Sequence, residues 1–313
     1  MRLITQAKAC GYQFEITAMK NFSKFAVIGG SGAFLFLGGE FGKEIGARKI
    51  KTPFGVSSPV HFFETDNFSF AFLSRHGEKG YEIAASFVNY RANIWALKEI
   101  GAERIIAWTG PGIINTRFKV GDYLLPSDLI DETKGRKYTF FEKRGLGFIR
   151  QSPVFCTQLK SSAKEAMKTL KIPCHFKGVY ICTEGPRLET PAEIRKFKLN
   201  GGDVVGMTLI PECFLARELE ICYMPICYLT NFAEGVNKRN FKKGVLFEGM
   251  QREREREKVN NVQRKFPKII KEIIKTAFSD ERDCHCKDSM LRYKKAGIID
   301  KNWRSWVKIK NKI

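Results

Sequence analysis

The chain has 313 residues, 43% of them hydrophobic, which is enough for one large domain with a sizeable core, and no stretch approaches the roughly 20 consecutive apolar residues of a membrane-spanning helix. Its formal net charge of +21 is typical of proteins that bind nucleic acid, but about half of the excess follows residue 250 and no zinc-finger, RNP or helix-turn-helix signature accompanies it. We therefore expect a solvated basic surface, no nucleic-acid partner and no membrane segment.

The two ends of the chain differ from the middle. Residues 1–22 begin with basic residues and contain no continuous apolar core or cleavage site, which excludes a signal peptide and predicts a disordered extension. The domain is predicted to span residues 23–280, and residues 281–313 a basic C-terminal tail. The chain has 9 cysteines, several of them in apolar strands, which favours reduced thiols in a cytoplasmic protein.

The first predicted element, KFAVIGGSG (residues 24–32), is a buried strand that enters a glycine-rich turn. Backbone N–H groups in such a turn can approach a phosphate closely, and the Ser31 hydroxyl adds a donor. The sequence GGSGAF differs from the GxGxxG fingerprint, and no acidic residue ends a second strand about 20 positions later. A nicotinamide-dependent oxidoreductase is therefore not supported.

Two apolar runs, HFFET and FSFAFLSRHG, predict a hairpin-like pair whose second strand ends at Arg75 and His76. A guanidinium and an imidazole at a strand end suit a phosphate dianion, because arginine offers bidentate donors and histidine can donate one more. Residues 89–100 have the spacing of an amphipathic helix. A buried strand then leads to Thr109 and Gly110, in a further loop of backbone donors.

One later segment contains most of the chemistry. CTEGPRLETPAE predicts a strand that breaks into a loop presenting Glu189, before a helix that begins at Thr190-Pro191. GGDVVGMT predicts a short strand ending at Met207 and Thr208, and YMPICYLTN a buried strand ending at Asn231. In an open α/β sheet, ligands bind beyond the carboxyl ends of the strands, so these side chains are candidates to line one pocket.

These motifs resemble the purine nucleoside phosphorylase and 5′-methylthioadenosine phosphorylase family. RHG, EGPRLET, GxDVVGMT followed by PE and LARE, and the strand ending in T-N recur there in this order. The resemblance covers roughly residues 24–231 and is nearest to the 6-oxopurine, methylthioinosine-type branch. It implies an α/β fold, with a single domain and a mixed central β-sheet flanked by helices, and a homo-oligomer that is a trimer or a hexamer.

The resemblance also implies a pentosyltransferase that cleaves purine nucleosides with inorganic phosphate as co-substrate, without a cofactor or a metal. The implied phosphate ligands are Ser31, Arg75, His76, Thr109, Gly110 and Thr208. The implied catalytic residues are Asn231, Glu189 and His76. The implied substrate contacts are Glu189, Met207, Asn231, Phe232 and Ala233. The charge of the bound phosphate would stabilise the cationic sugar that develops as the purine leaves.

Two positions predict which purine is accepted. Glu189 stands where the family's 6-oxopurine enzymes carry glutamate and its adenine enzymes serine, and Asn231 where they carry asparagine and aspartate. A carboxylate accepts from N1–H of hypoxanthine or guanine, and an amide donates to O6 or N7. We expect inosine, guanosine or S-methyl-5′-thioinosine as substrates, in purine salvage. The alternatives are an S-methyl-5′-thioadenosine phosphorylase and a non-catalytic polyanion-binding member of the fold.

Three segments depart from the family or match it weakly. The loop 80–85 has Tyr81 and alanines where the family has histidine and proline. An aromatic residue from Tyr138, Phe140 or Phe141 is implied to reach a neighbouring subunit's site, with a core role as the alternative. The 5′ substituent, hydroxyl or methylthio, stays open because the resemblance is poor in residues 241–247.

The segment after residue 231 carries few family motifs. KFPKIIKEIIKTAF (residues 265–278) predicts a helix with one apolar face. Cys284-His285-Cys286 offers three ligands from adjacent residues, too few to close a tetrahedral metal site, so we expect a structural or redox-sensitive element. The last stretch, from Lys294, is basic and is expected to be peripheral.

Overall fold

The structure is a computed structural model that describes residues 22–30, 32–237 and 253–308. The strands are β1 (Phe25–Gly29), β2 (Lys43–Arg48), β3 (Lys51–Thr52), β4 (Gly55–Val56), β5 (Val60–Glu64), β6 (Ser69–Ser74), β7 (Arg104–Thr109), β8 (Gly112–Ile113), β9 (Tyr123–Leu124), β10 (Asp128–Glu132), β11 (Cys174–His175), β12 (Val179–Thr183), β13 (Val204–Gly206), β14 (Cys222–Tyr228) and β15 (Asn231–Phe232). The α-helices are α1 (Tyr90–Glu99), α2 (Thr157–Thr169), α3 (Pro191–Leu199), α4 (Leu209–Glu218), α5 (Glu253–Arg264), α6 (Phe266–Phe278) and α7 (Leu291–Lys295).

A mixed sheet of eight strands forms the centre of the fold, in the order β11-β9-β14-β7-β1-β6-β5-β2. Strands β14, β7, β1 and β6 run parallel to one another, and β5 returns antiparallel to β6 as the hairpin that the sequence predicts. Every residue of β1, β7 and β14 is buried, as in strands that are covered on both faces. The predicted α/β fold with a mixed central sheet is confirmed.

A second sheet of five strands, in the order β10-β12-β13-β8-β15, lies beside the first. The sequence predicts one strand from Tyr223 to Asn231, but β14 ends at Tyr228. The chain then leaves the large sheet because the Thr230 N–H donates to the Pro111 carbonyl at 3.2 Å. Asn231 consequently pairs with Gly112 in the smaller sheet.

The helices follow the predicted patterns. Asn89 caps α1, and its side chain accepts from the Ala92 N–H at 3.1 Å. Thr190 caps α3 in a reciprocal capping box with Glu193, with a proline at the first position, as its sequence indicates. The apolar face of α6 is fully buried. It consists of Ile269, Ile270, Ile273 and Ile274.

The C-terminal segment packs on the core, contrary to the expected peripheral position. Within the stretch from Lys294, Ile299 and Trp306 are buried, and the ring of Trp303 lies 4.6 Å from that of Trp95. The basic residues of this segment led to the expected peripheral position, but the aromatic side chains between them supply apolar area that packs on the core.

At the amino-terminal end, the ring of Phe22 lies 5.1 Å from the ring of Phe62 in the core. Residues 1–21 lie outside the described part of the chain.

Glu218, at the end of α4, is a buried carboxyl group whose titration should affect stability. It accepts from the Thr139 hydroxyl at 2.6 Å and from the Phe140 N–H at 2.8 Å, yet burial raises its pKa from 4.5 to about 7. At a pH between these two pKa values, Glu218 is protonated in the native protein and ionised in the unfolded chain. The free energy of unfolding should therefore fall as the pH rises from about 4.5 to about 7, by roughly 3 kcal/mol from this group.

The substitution Glu218→Gln isolates this effect. Urea unfolding at several pH values from about 5 to about 8 should show a smaller decline for Glu218→Gln than for the unsubstituted protein, because glutamine does not ionise. Glu165→Gln on the exposed side of α2 serves as the control and should leave the decline unchanged. Equal pH profiles for the Glu218→Gln and unsubstituted proteins would contradict the assignment.

Candidate functional site

A pocket of about 570 Å³ opens beyond the carboxyl ends of strands from both sheets. The large sheet supplies the turn after β1, the end of β6 and the end of β7, and the small sheet supplies the ends of β13 and β15. The structure brings together on the pocket lining these predicted site residues: His76, Thr109, Gly110, Glu189, Met207, Thr208, Asn231 and Ala233.

Two glycines let the backbone form one wall of the pocket. A Cβ atom on Gly30 would lie 2.5 Å from the Trp108 carbonyl oxygen, and one on Gly110 would lie 2.8 Å from the Tyr228 ring. Neither position can therefore hold a side chain without moving its neighbours. Because no side chain covers the backbone at these glycines, the backbone N–H groups of the turns can approach a ligand closely. Ser31, the predicted hydroxyl donor of this turn, lies outside the described residues.

A pair of buried hydroxyl groups lies next to these turns. The Thr109 Oγ1 and Thr208 Oγ1 atoms are 2.9 Å apart. Thr208 is the residue before α4, but its side chain does not cap that helix. Its hydroxyl is therefore directed to Thr109. One of the two hydroxyls donates to the other, so the pair keeps one O–H donor for a ligand.

His76 faces the pocket as a neutral imidazole. Burial, assisted by the positive charge of Arg75, lowers its pKa to about 4. Nδ1 lies 2.9 Å from the Ile83 carbonyl oxygen, which can only accept, so Nδ1 carries the proton and Nε2 a lone pair. Nε2 has no hydrogen-bond partner among the described residues. The sequence predicts that His76 donates to phosphate, whereas the structure presents an acceptor.

Arg75 lies behind the pocket wall and not on it. Its Nε and Nη2 atoms donate to the Glu212 carboxylate at 2.6 and 2.8 Å, and Nη1 donates to the Trp108 carbonyl at 2.9 Å. The side chain is completely buried, and Nη1 lies against the Gly30 turn. Arg75, a predicted phosphate ligand, is therefore not part of the pocket lining, and its guanidinium supports the Gly30 turn from behind.

Glu189 also lines the pocket. This carboxylate is 8% exposed, and its Oε1 accepts from the Thr183 hydroxyl at 2.5 Å. Arg187, which could have paired with it at the surface, instead forms a bidentate ion pair with Glu193 at 2.7 and 2.8 Å. Glu189 therefore has an oriented carboxylate with one oxygen, Oε2, available to a ligand.

Asn231 presents an oriented amide. The Thr230 hydroxyl donates to its Oδ1 at 2.7 Å, and its Nδ2 donates to the Phe232 carbonyl at 2.9 Å. An amide nitrogen carries two protons, so one remains for a ligand. Phe232 itself pairs with Ile113 between strands and does not belong to the pocket lining, unlike its neighbour Ala233.

Arg136 is a positioning residue that the sequence analysis missed. Its Nη1 donates to the carbonyl oxygens of Met207, at 2.6 Å, and of Ile210. Its Nη2 donates to the carbonyls of Thr183, at 3.1 Å, and Glu184, at 2.7 Å. One guanidinium thus joins the end of β12 to the turn after β13, which fixes two pocket walls. It also donates to the Glu184 carboxylate and the Tyr90 hydroxyl, each at 3.4 Å. No motif identifies it, because its shorter contacts are all with main-chain carbonyls.

Comparison with known proteins identifies the family. A family model described as the phosphorylase superfamily matches residues 24–275. The chain belongs to the phosphorylase superfamily. It is 38% identical over 274 residues to the 6-oxopurine nucleoside phosphorylase of Pyrococcus furiosus, covering 85% of this chain and 97% of that protein. It is 41% identical over 268 residues to the S-methyl-5′-thioadenosine phosphorylase of Pyrococcus abyssi, covering 85% and 96%.

Solved structures give the same result for the fold. A methylthioadenosine phosphorylase from an Antarctic soil metagenomic library is 29% identical, with a TM-score of 0.74, and the match covers 86% of this chain and 91% of that one. The family and the fold that the sequence predicts are confirmed. Within the part of the chain that the structure describes, no helix is both long and apolar enough to span a bilayer.

This phosphorylase-superfamily chain has an unusual loop at residues 80–85. Tyr81, Ala84 and Ala85 all line the pocket, and the Tyr81 ring lies 4.6 Å from the His76 imidazole. These three residues therefore give this part of the pocket wall an aromatic and aliphatic surface.

The aromatic segment after β10 divides into buried and exposed residues. Phe140 and Phe141 are buried in the core of their own chain, whereas Tyr138 is 59% exposed. The two phenylalanines are therefore core residues. Of the three candidates for reaching a neighbouring subunit, only Tyr138 is available.

Proposed function

We propose that this chain is a purine nucleoside phosphorylase that cleaves 6-oxopurine nucleosides with inorganic phosphate in purine salvage. The observation that carries the proposal is the placement of Glu189 and Asn231 on the lining of the pocket that also contains the glycine turns and the threonine pair. The pocket thus combines a site for an oxyanion with a carboxylate and an amide suited to a 6-oxopurine.

Phosphate binds at the glycine turns and accepts the O–H that the hydrogen-bonded pair Thr109 and Thr208 leaves free. Hydrogen phosphate carries one P–O–H group, which donates to the unprotonated Nε2 of His76. The buried Arg75 adds positive charge from behind the Gly30 turn. These groups hold a phosphate oxygen beneath the anomeric carbon, and its negative charge stabilises the cationic sugar as the C–N bond breaks.

The purine binds at the other end of the pocket. Oε2 of Glu189 accepts from N1–H, and the second proton of Asn231 Nδ2 is donated to N7 or O6, where negative charge develops as the base leaves. A phosphate oxygen bonds to the sugar carbon as the glycosidic bond breaks, and the electron pair of that bond moves to the purine. The purine anion takes up the proton that hydrogen phosphate loses, so the products are free base and pentose 1-phosphate. This chemistry uses phosphate as a co-substrate and involves no metal or cofactor step.

The relatives include enzymes named for 6-oxopurine nucleosides and others named for methylthioadenosine, so the purified protein must be assayed with both classes. Phosphate-dependent release of base from inosine, guanosine, S-methyl-5′-thioinosine and S-methyl-5′-thioadenosine tests the proposal. We expect 6-oxopurine nucleosides to react best. Preferred cleavage of methylthioadenosine would contradict the base assignment, and salt-sensitive RNA binding without turnover would favour the polyanion-binding alternative.

Residues 241–247, which are expected to contact the 5′ substituent, lie outside the described part of the chain. The inosine and methylthioinosine arms of the assay therefore decide between a hydroxyl and a methylthio group. The same assay tests whether the apolar surface formed by Tyr81, Ala84 and Ala85 favours the methylthio group.

Replacement of His76 by alanine should weaken phosphate binding more than nucleoside binding. The change removes the acceptor for the P–O–H group, so we expect the KM for phosphate to rise about tenfold, the size of one hydrogen bond, with a smaller change in the nucleoside KM. Initial rates at varied phosphate and fixed inosine measure this. His175→Ala, far along the chain and paired with Asp122, is the control. An unchanged phosphate KM would contradict the role of His76.

The assembly and location of the enzyme are further parts of the proposal. A homotrimer, or a hexamer made of trimers, is supported by exposed large side chains such as Tyr138, Phe148 and Leu199. A cytoplasmic location is supported by the described cysteines, all of which are free thiols. Light scattering coupled to size-exclusion chromatography measures the number of subunits.

A further inference from the structure

Four buried cysteines from three separate parts of the chain meet outside the pocket. Cys156 precedes α2, Cys222 begins β14, and Cys284 and Cys286 flank a histidine in the C-terminal segment. Their sulfur atoms all lie within 4.8 Å of one another, and the Cys222 and Cys284 sulfurs are 3.3 Å apart. We call these residues the four-cysteine cluster.

The fold supplies the ligands that the local sequence lacks. Cys284-His285-Cys286 alone provides too few groups for a closed metal site, and His285 is exposed while both cysteines are buried. Cys156 and Cys222, respectively 128 and 62 residues before Cys284 along the chain, add two more sulfurs. The result is a set of four soft donors around one point.

We propose that the four-cysteine cluster binds one zinc ion as a structural site. A tetrahedral zinc–sulfur distance of about 2.3 Å places ligand sulfurs roughly 3.8 Å apart, which agrees with four sulfurs that lie within 4.8 Å of one another. Binding exchanges four thiol protons for one Zn²⁺, which gives a bound unit of charge −2. No oxidant or reductant is required.

Neighbouring groups suit that negative charge. The Arg282 guanidinium lies beside the sulfurs of Cys222 and Cys284, and its buried Nε has no hydrogen-bond partner among the described residues. The N–H of Leu159, in the first turn of α2, donates to the Cys156 sulfur at 3.4 Å. A cation and a helix amino terminus therefore both face the cluster.

The position of the cluster indicates what the metal does. None of its members lines the pocket, so the ion has no part in the reaction. It joins the C-terminal segment to α2 and β14, and that segment contributes Met290, Tyr293 and Trp306 to the core. Structural zinc sites contribute directly to folding free energy, so the metal holds the last part of the chain in place.

Metal analysis of the protein purified without chelators tests the proposal. We expect about one zinc ion per chain by plasma mass spectrometry, and after exchange with Co²⁺ the intense visible absorption of tetrahedral cobalt thiolate. Cys284→Ser/Cys286→Ser should lower the metal content at least about tenfold and lower the melting temperature. Cys174→Ser, a cysteine outside the cluster, is the matched control and should retain the zinc.

The measurements on the unsubstituted protein stand even if the double variant does not fold. Absence of zinc both after purification and after incubation of the reduced protein with Zn²⁺ would overturn the proposal. An intact mass lower by four hydrogens, which indicates two disulfides in place of the thiols, would also overturn it. Phosphorolysis is not a readout here, so failure of the zinc site leaves the proposed enzyme activity untouched.

Discussion

Replacing Glu189 by glutamine should reduce kcat/KM for inosine by about 10²-fold, because a hydrogen bond to a charged partner contributes roughly 1.5–3 kcal/mol. The shape of the side chain is retained, and the Thr183 hydroxyl can still donate to the amide oxygen. The lost feature is the carboxylate oxygen that accepts from N1–H. An amide can also donate to N1 of adenine, so the preference for inosine over adenine nucleosides should decrease.

Steady-state rates with inosine and methylthioadenosine measure both effects. Glu132→Gln is the control, since Glu132 pairs with Lys196 away from the pocket and should leave both rates unchanged. The double variant Glu189→Ser/Asn231→Asp should move selectivity further, because serine can donate to N1 and aspartate can accept from the adenine amino group. An inosine rate for Glu189→Gln equal to that of the unsubstituted enzyme would show that the carboxylate does not contact the base.

The sequence predicted those parts of the fold that local patterns determine. The strand that enters the glycine turn, the helix with its four buried isoleucines and the helix start at Thr190-Pro191 each depend on residues close together along the chain. The pocket residues were found because their motifs are contiguous and recur in the family, and these residues are brought together by the carboxyl ends of their strands.

Features that depend on distant partners were not predictable in this way. The four-cysteine cluster forms only because the fold brings Cys156 and Cys222 next to Cys284 and Cys286. The hydrophobic periodicity of the sequence does not predict contacts between residues so far apart along the chain. Arg136 acts mainly through main-chain carbonyls, which every residue type has, so no sequence pattern identifies its partners. The charge state of His76 follows from burial and from the neighbouring Arg75, both of which are properties of the folded chain.

The ion pair between Arg75 and Glu212 leads to the largest predicted loss of stability. Both side chains are buried, with 0% and 2% exposure. Burial disfavours the charge of Arg75, but the carboxylate of Glu212 outweighs this and raises the pKa of Arg75 above its usual value. Arg75→Met leaves that carboxylate buried with the Tyr223 hydroxyl as its remaining donor, at 2.7 Å. The free energy of unfolding should fall by about 3–5 kcal/mol, as measured by urea denaturation.

The double variant Arg75→Met/Glu212→Met distinguishes the ion pair from simple loss of volume. Removing both charges avoids an uncompensated buried carboxylate, so the double variant should be more stable than Arg75→Met alone, with a coupling energy readable from the cycle of variants. Additive losses would contradict the pairing. The KM for phosphate of the double variant then tests whether Arg75 contacts the anion. A modest rise in this KM agrees with the position of Arg75 behind the Gly30 turn. A large rise in a stable double variant would show that Arg75 reaches the anion in the working enzyme.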